Sequence, residues 1–92
     1  SSYLGTAKTK TITINANGNI LNFVHNNTDW NYVRCVNPEA KIIINDASLT
    51  NSKNNNGPWN RHDICFFNPV ELNNIVSDKA IALEADATLN NI

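Results

Sequence analysis

Ninety-two residues with 41% hydrophobic content are enough for one small domain. A formal net charge of −1, with 16% charged residues, removes the electrostatic case for nucleic acid or an anionic membrane surface. No run approaches the ~18–20 consecutive apolar residues of a membrane span, so none is expected.

The composition leans on one side chain: nineteen residues are Asn. The Asn amide competes for backbone hydrogen bonds and tolerates turns, so such a chain reads as strands and turns rather than helices. An AT-rich coding sequence produces the same excess, and the count by itself carries no function.

Ser1-Ser2-Tyr3 shows neither the charged start nor the apolar run of a signal peptide. A mature, secreted or extracellular form is the expected setting. Residues 1–7 read as a loose or edge segment. From Lys8 to Asn15 the chain alternates, with Thr9, Thr11 and Thr13 on one face and Lys10, Ile12 and Ile14 on the other. That period marks a half-buried strand. A single threonine row is too little for an ice-binding or ligand-binding array and reads as a solvated face. Asn17-Gly18 predicts a hairpin turn, with residues 20–24 as the return strand. Asn26-Asn27-Thr28 fits the acceptor pattern for N-glycosylation.

Residues 30–36 form the next predicted strand, ended by Pro38. Lys41 to Asn45, with Ile42-Ile43-Ile44, is the clearest buried strand. Residues 46–60 are a long polar excursion, because Asn54-Asn55-Asn56-Gly57-Pro58 cannot be strand interior. Residues 63–67 return as a strand that Asn68-Pro69 turns. Residues 70–77 hold one short helical turn at most. Residues 79–85 form the last full strand, and 87–92 a tail or edge strand.

Cys35 and Cys65 both fall on core-directed strands, so both are expected to be buried. A disulfide between them would close a loop of about 30 residues and add roughly 3 kcal/mol. Two free thiols acting as small hydrophobes are the other reading, and the sequence leaves both open. With His25 and His62 these cysteines make four potential zinc ligands, but the spacing fits no common finger. His62 and Cys65 would also point to opposite faces of one strand. No motif supports a Cys–His nucleophile pair, and there is no Gly-rich phosphate loop. The expectation is a protein that is not an enzyme.

Two stretches overlay. Trp30-Asn31-Tyr32-Val33-Arg34-Cys35 matches Asn73-Asn74-Ile75-Val76-Ser77-Asp78, with Asn31 over Asn74 and Arg34 over Ser77. Six to eight short strands, two long connections and this repeat predict an all-β, antiparallel Greek-key β-sandwich with two related halves. One domain spans 1–92, with keys at approximately 8–39 and 40–88.

Leu72-Asn73-Asn74-Ile75-Val76-Ser77, leading into a strand, resembles the calcium-loop signature of the βγ-crystallin family. That signature is two Asn or Asp, two variable residues, then Ser or Thr and Ser. The resemblance implies a small non-enzymatic crystallin-like protein with one weak calcium site. Its oxygens would come from Asn73, Ile75 (through the carbonyl) and Ser77, with Asp78 adding a carboxylate, since calcium takes six to eight oxygens. Arg34 stands where the first copy of the signature has Ser or Thr, and its charge opposes a cation. The alternative is a secreted module binding carbohydrate or another protein, of lectin, adhesin, pilin-like or toxin type. Its candidate site is the Asn-rich loop with Trp59, Arg61 and His62, since a Trp beside amides makes a sugar platform.

Overall fold

The computed structural model describes residues 3–23, 32–52 and 63–92. In these residues eight strands follow one another: β1 (Thr11–Asn15), β2 (Ile20–Asn22), β3 (Tyr32–Val33), β4 (Lys41–Thr50), β5 (Ile64–Phe66), β6 (Val70–Ser77), β7 (Ile81–Leu83) and β8 (Ala87–Asn90). Among the described residues there is no helix. The protein is all-β, as its period-two stretches predict.

Among the described residues every strand pairing is parallel. In the first sheet β4 pairs β6 on one side and both β1 and β2 on the other, and β6 pairs β8. The second sheet has the order β3-β5-β7. The chain passes through the first sheet, crosses to the second, and returns one strand further along. This path is a coil, a parallel β-helix in which each turn contacts only its neighbours.

The coil overturns the antiparallel Greek-key sandwich. Alternation and β-branching specify strands but carry no information about direction. Direction is set by the connections: apart from the in-line turn between β1 and β2, successive strands alternate between the two sheets, as parallel pairing requires. The halves at 8–39 and 40–88 dissolve with it. The structural repeat is instead the register Ile42–Val70–Ala87, one residue per turn.

The hairpin at Asn17-Gly18 is corrected in the same way. Both residues have positive φ, 54° and 84°, and Asn19 N–H closes the turn on the Ala16 carbonyl at 2.9 Å. The turn is therefore the kind expected, yet β1 and β2 do not pair with each other. Both lie along β4, Asn15 opposite Asn45 and Ile20 opposite Ser48. The long β4 offers one continuous edge, and the turn only takes up the surplus residues.

Residues 70–77, predicted as a helical turn at most, are the eight-residue β6. Both β4 and β6 bend at an Asx residue in the left-handed region, Asp46 and Asn74, each with φ 56°. Asn91 follows at φ 57° after β8. Asn and Asp adopt this conformation more readily than other side-chain-bearing residues. The bend lets Ile44 and Ala47 both face inward while Asp46 is exposed.

Apolar side chains stack from turn to turn inside the coil. One column is Ile12, Ile42, Val70 and Ala87, and the next is Ile14, Ile44, Leu72 and Leu89. The second sheet contributes Ile64 and Phe66, and Phe23 meets the Phe66 ring edge-on at 6.0 Å. Ile42, Ile44 and Leu72 are fully buried, whereas Leu89 is 49% exposed. Inner turns are covered on both sides and the last turn on one.

Cys35 and Cys65 are both buried, as expected, and no disulfide joins them. Burial pushes the Cys35 thiol pKa up. The corner between the sheets is locked by the buried Asn68. Its Oδ1 accepts from Cys35 N–H at 2.7 Å, and its Nδ2 donates to the carbonyls of Asn37 and Ala40 at 3.0 and 2.9 Å. Asn37 repeats the device one turn earlier, donating to the Thr9 carbonyl at 2.8 Å. Each Asn is followed by Pro, whose fixed φ suits the corner.

Two substitutions test this core. Asn68→Ala removes three hydrogen bonds, two of them buried, and should cost roughly 2–4 kcal/mol in a denaturant melt. Val76→Ala, at a 70% exposed position, should stay within about 0.5 kcal/mol of wild type.

Candidate functional site

Residues of the first sheet alternate between the core and the outer face. The outward set includes Thr11, Thr13 and Asn15 on β1, Lys41, Ile43 and Asn45 on β4, Glu71 and Asn73 on β6, and Thr88 and Asn90 on β8. Parallel register places Asn15, Asn45, Asn73 and Asn90 in one row across the turns. Their amides form a continuous ladder. Asn45 Nδ2 donates to Asn15 Oδ1 at 2.8 Å, Asn73 Nδ2 to Asn45 Oδ1 at 2.7 Å, and Asn90 Nδ2 to Asn73 Oδ1 at 2.7 Å.

A second ladder runs beside it at the bend. Asn74 Nδ2 donates to Asp46 Oδ1 at 2.9 Å and Asn91 Nδ2 to Asn74 Oδ1 at 2.8 Å. These are the left-handed residues, so the bend of the strands and the ladder stabilise each other. Stacked identical amides are a recurring companion of in-register parallel strands.

Beside the first ladder, Lys41 Nζ and Glu71 Oε1 form an ion pair at 3.1 Å. Asn73 Nδ2 donates to the other carboxylate oxygen at 3.0 Å. The Asn73 hydrogen bond first, and then the bond and charge of Lys41, hold the Glu71 carboxyl below its ordinary range.

The residues proposed as a calcium loop are placed differently from one another. Asn73 Oδ1 accepts from Asn90, and Ile75 N–H bonds the Asn91 carbonyl. Ser77 Oγ caps its own turn, donating to the Lys79 carbonyl at 2.7 Å and accepting from Lys79 N–H at 3.2 Å. Asp78 Oδ2 accepts from Thr50 Oγ1 at 3.0 Å. Asn73 and Ile75 point to opposite faces of β6, Ile75 into the core. Among the described residues no group of three or more His, Cys, Asp or Glu side chains is poised to share a metal.

Arg34, expected opposite Ser77, directly follows β3 of the second sheet. Its guanidinium lies between two rings, 4.9 Å from the Tyr3 centroid and 4.7 Å from that of Phe67, a cation–π sandwich. It ties the first described residues to the corner after β5. Trp59, Arg61 and His62 lie outside the described residues, as do His25, Asn31 and the Asn26-Asn27-Thr28 triplet.

The row of Asn15, Asn45 and Asn90 went unread in the sequence. Its signal is an aliphatic residue followed by one or two Asx, in Ile14-Asn15, Ile44-Asn45-Asp46, Leu72-Asn73-Asn74 and Leu89-Asn90-Asn91. Among the described residues no helix is long and apolar enough to cross a membrane. No protein-family model, curated protein or solved structure matches the chain.

Two outcomes follow. A folded-state pKa below the unfolded one gives stability that is present above the unfolded value and lost as pH falls. The melting temperature of wild type minus that of Glu71→Gln should therefore shrink as pH drops below about 4.5, in parallel thermal melts. Millimolar calcium should leave the wild-type melt unchanged, since the Asn73 oxygen is already bonded within the ladder.

Proposed function

We propose that this chain is a non-catalytic β-helical module that binds an extended carbohydrate along the outer face of its first sheet. The observation that carries the reading is the in-register row of amides flanked by exposed hydroxyls. A primary amide has two N–H donors and two oxygen lone pairs. The ladder uses one of each at Asn45 and fixes the amide plane. The remaining N–H and lone pair are left for a ligand at no further ordering cost. Thr11 and Thr13 at one end of the face and Thr88 at the other add exposed hydroxyls.

Neighbouring strands lie about 4.7–4.9 Å apart, so the row repeats at close to the length of one sugar unit in an extended chain. Paired donors and acceptors at that interval suit sugar hydroxyls, which both donate and accept. The near-neutral net charge favours an uncharged polysaccharide over a polyanion. A secreted or extracellular setting belongs to the same proposal.

A glycan array followed by NMR titration tests it. Ligand should shift the amide resonances of Asn15, Asn45 and Asn90. The double variant Thr13→Val, Thr88→Val should weaken binding about tenfold, as expected for two lost hydrogen bonds. Glu84→Gln, after β7 in the second sheet, should leave binding unchanged. Absence of binding to any neutral glycan, or shifts confined to the second sheet, would sink the reading.

A further inference from the structure

Asn17-Gly18 carries a reactivity that the fold does not use. In an Asn-Gly pair the glycine nitrogen can attack the carbonyl carbon of the asparagine side chain. Glycine has no Cβ to hinder the approach, which makes it the most permissive neighbour for this reaction. The new bond from Gly18 N to Asn17 Cγ closes a cyclic imide, and the side-chain nitrogen leaves as ammonia. Water then opens the ring at either of its two carbonyls. One opening leaves an aspartate at position 17. The other routes the main chain through the former side chain, as an isoaspartyl link.

The geometry of the turn closes this route. Asn17 and Gly18 have φ of 54° and 84°, and Asn19 N–H donates to the Ala16 carbonyl at 2.9 Å. Positive φ at both central positions makes this a type I′ turn. As the mirror of type I, it sets ψ of its first central residue at about +30°. The Gly18 nitrogen then lies about 150° from the Asn17 Cβ around the Cα–C bond. Ring closure needs the two nearly eclipsed, so attacking atom and target sit on opposite sides of the bond.

A hydrogen bond closes it a second time. Gly18 N–H donates to the Asp46 carbonyl, and attack requires this nitrogen to give up that proton. Flanking bonds clamp the turn to β4: Ala16 N–H to the Asn45 carbonyl at 3.0 Å, and Ser48 N–H to the Asn19 carbonyl at 3.1 Å.

Side-chain packing adds little between those clamps. Asn17, Gly18, Asn19 and Ile20 are all exposed, and a Cβ on Gly18 would meet open space. The nearest anchors are the buried Ala16 on one side and Leu21, packed against the core, on the other. A short exposed segment held by main-chain bonds alone opens locally, without unfolding the coil.

We propose that Asn17 is a latent modification site, inert while its turn is closed and deamidated once the turn opens. The two products then behave differently. Aspartate adopts the left-handed region much as asparagine does, so that product closes the turn again. The isoaspartyl product has one more carbon in the main chain between Ala16 and Asn19. It cannot restore the Asn19–Ala16 and Gly18–Asp46 bonds together, and β2 loses its registered start at Ile20 opposite Ser48. Opening of this one turn is thereby recorded in the covalent structure.

Incubation in mildly alkaline buffer, followed by peptide mapping with mass spectrometry, tests the site. Folded wild type should deamidate at Asn17 at least about tenfold more slowly than the same chain unfolded in urea, because reaction waits for local opening. Leu21→Ala removes the nearer core anchor of β2 and leaves Asn17 and Gly18 untouched. It should raise the folded-state rate at least about threefold, with thermal melts showing the coil still folded at the incubation temperature. Of the two products, separated by chromatography, the isoaspartyl form should be cut faster by limited proteolysis within residues 16–23. Equal rates in folded and urea-unfolded wild type overturn the proposal, and that comparison stands by itself if Leu21→Ala fails to fold. An unchanged rate in folded Leu21→Ala, or equal protease resistance of the two products, also overturns it.

Discussion

The parallel pairing of β4 with strands on both of its edges is the constraint from which the rest of the molecule follows. Lys41–Thr50 is the longest strand, and both β1 and β2 depend on it for partners. On its other edge β6 copies its register, including the left-handed residue at the bend. Because side chains in a parallel stack sit directly above their partners, each inward position becomes an apolar column and each outward position a row. A slip of one residue along β6 would turn Leu72 and Ile75 outward and Asn73 inward. The register is therefore held by burial on one face and by amide bonding on the other.

The polar side of this arrangement has its own logic. A row of identical side chains one strand spacing apart tolerates few residue types. Like charges would repel, and large apolar groups would be left wet. Amides escape both problems, because each is donor and acceptor at once and can bond its own copy. Chains of such bonds polarise one another. The ion pair beside the ladder, Lys41 with Glu71, follows the same rule, alternating charge sign between adjacent turns.

Much of the local structure was legible. The stretches 8–15, 63–67 and 79–85 each contain a strand, 41–45 is the first half of β4, whose second half occupies positions 46–50 expected as polar excursion, and the burial of both cysteines follows from their places on core-directed segments. Strand direction was not legible. Asn17-Gly18 has the chemistry of a hairpin, and only the presence of an uninterrupted β4 edge converts it into an in-line turn. Residues 72–77 carry a related ambiguity. Paired Asn before aliphatics suits a cation loop as well as a ladder, and the choice depends on what lies in the adjacent turn. The overlay of Asn31 on Asn74 weighed one resemblance across the wrong interval, when Ile44-Asn45-Asp46 and Leu72-Asn73-Asn74 were the copies in contact.

The corner that follows the long strands of the first sheet differs from the other corners. Positions 51–63 separate β4 from β5, whereas positions 78–80 make the equivalent passage from β6 to β7. Both passages deliver the chain to the same register, Ile64 beside Ile81. The Asn-Pro corner, by contrast, is held at fixed length by Asn37 and Asn68. Chain length is thus a free variable at one vertex of the coil and a fixed one at another. Foreign peptide inserted between Asp78 and Ala80 would leave every strand pair in place, which makes that vertex the natural point for grafting a new recognition loop.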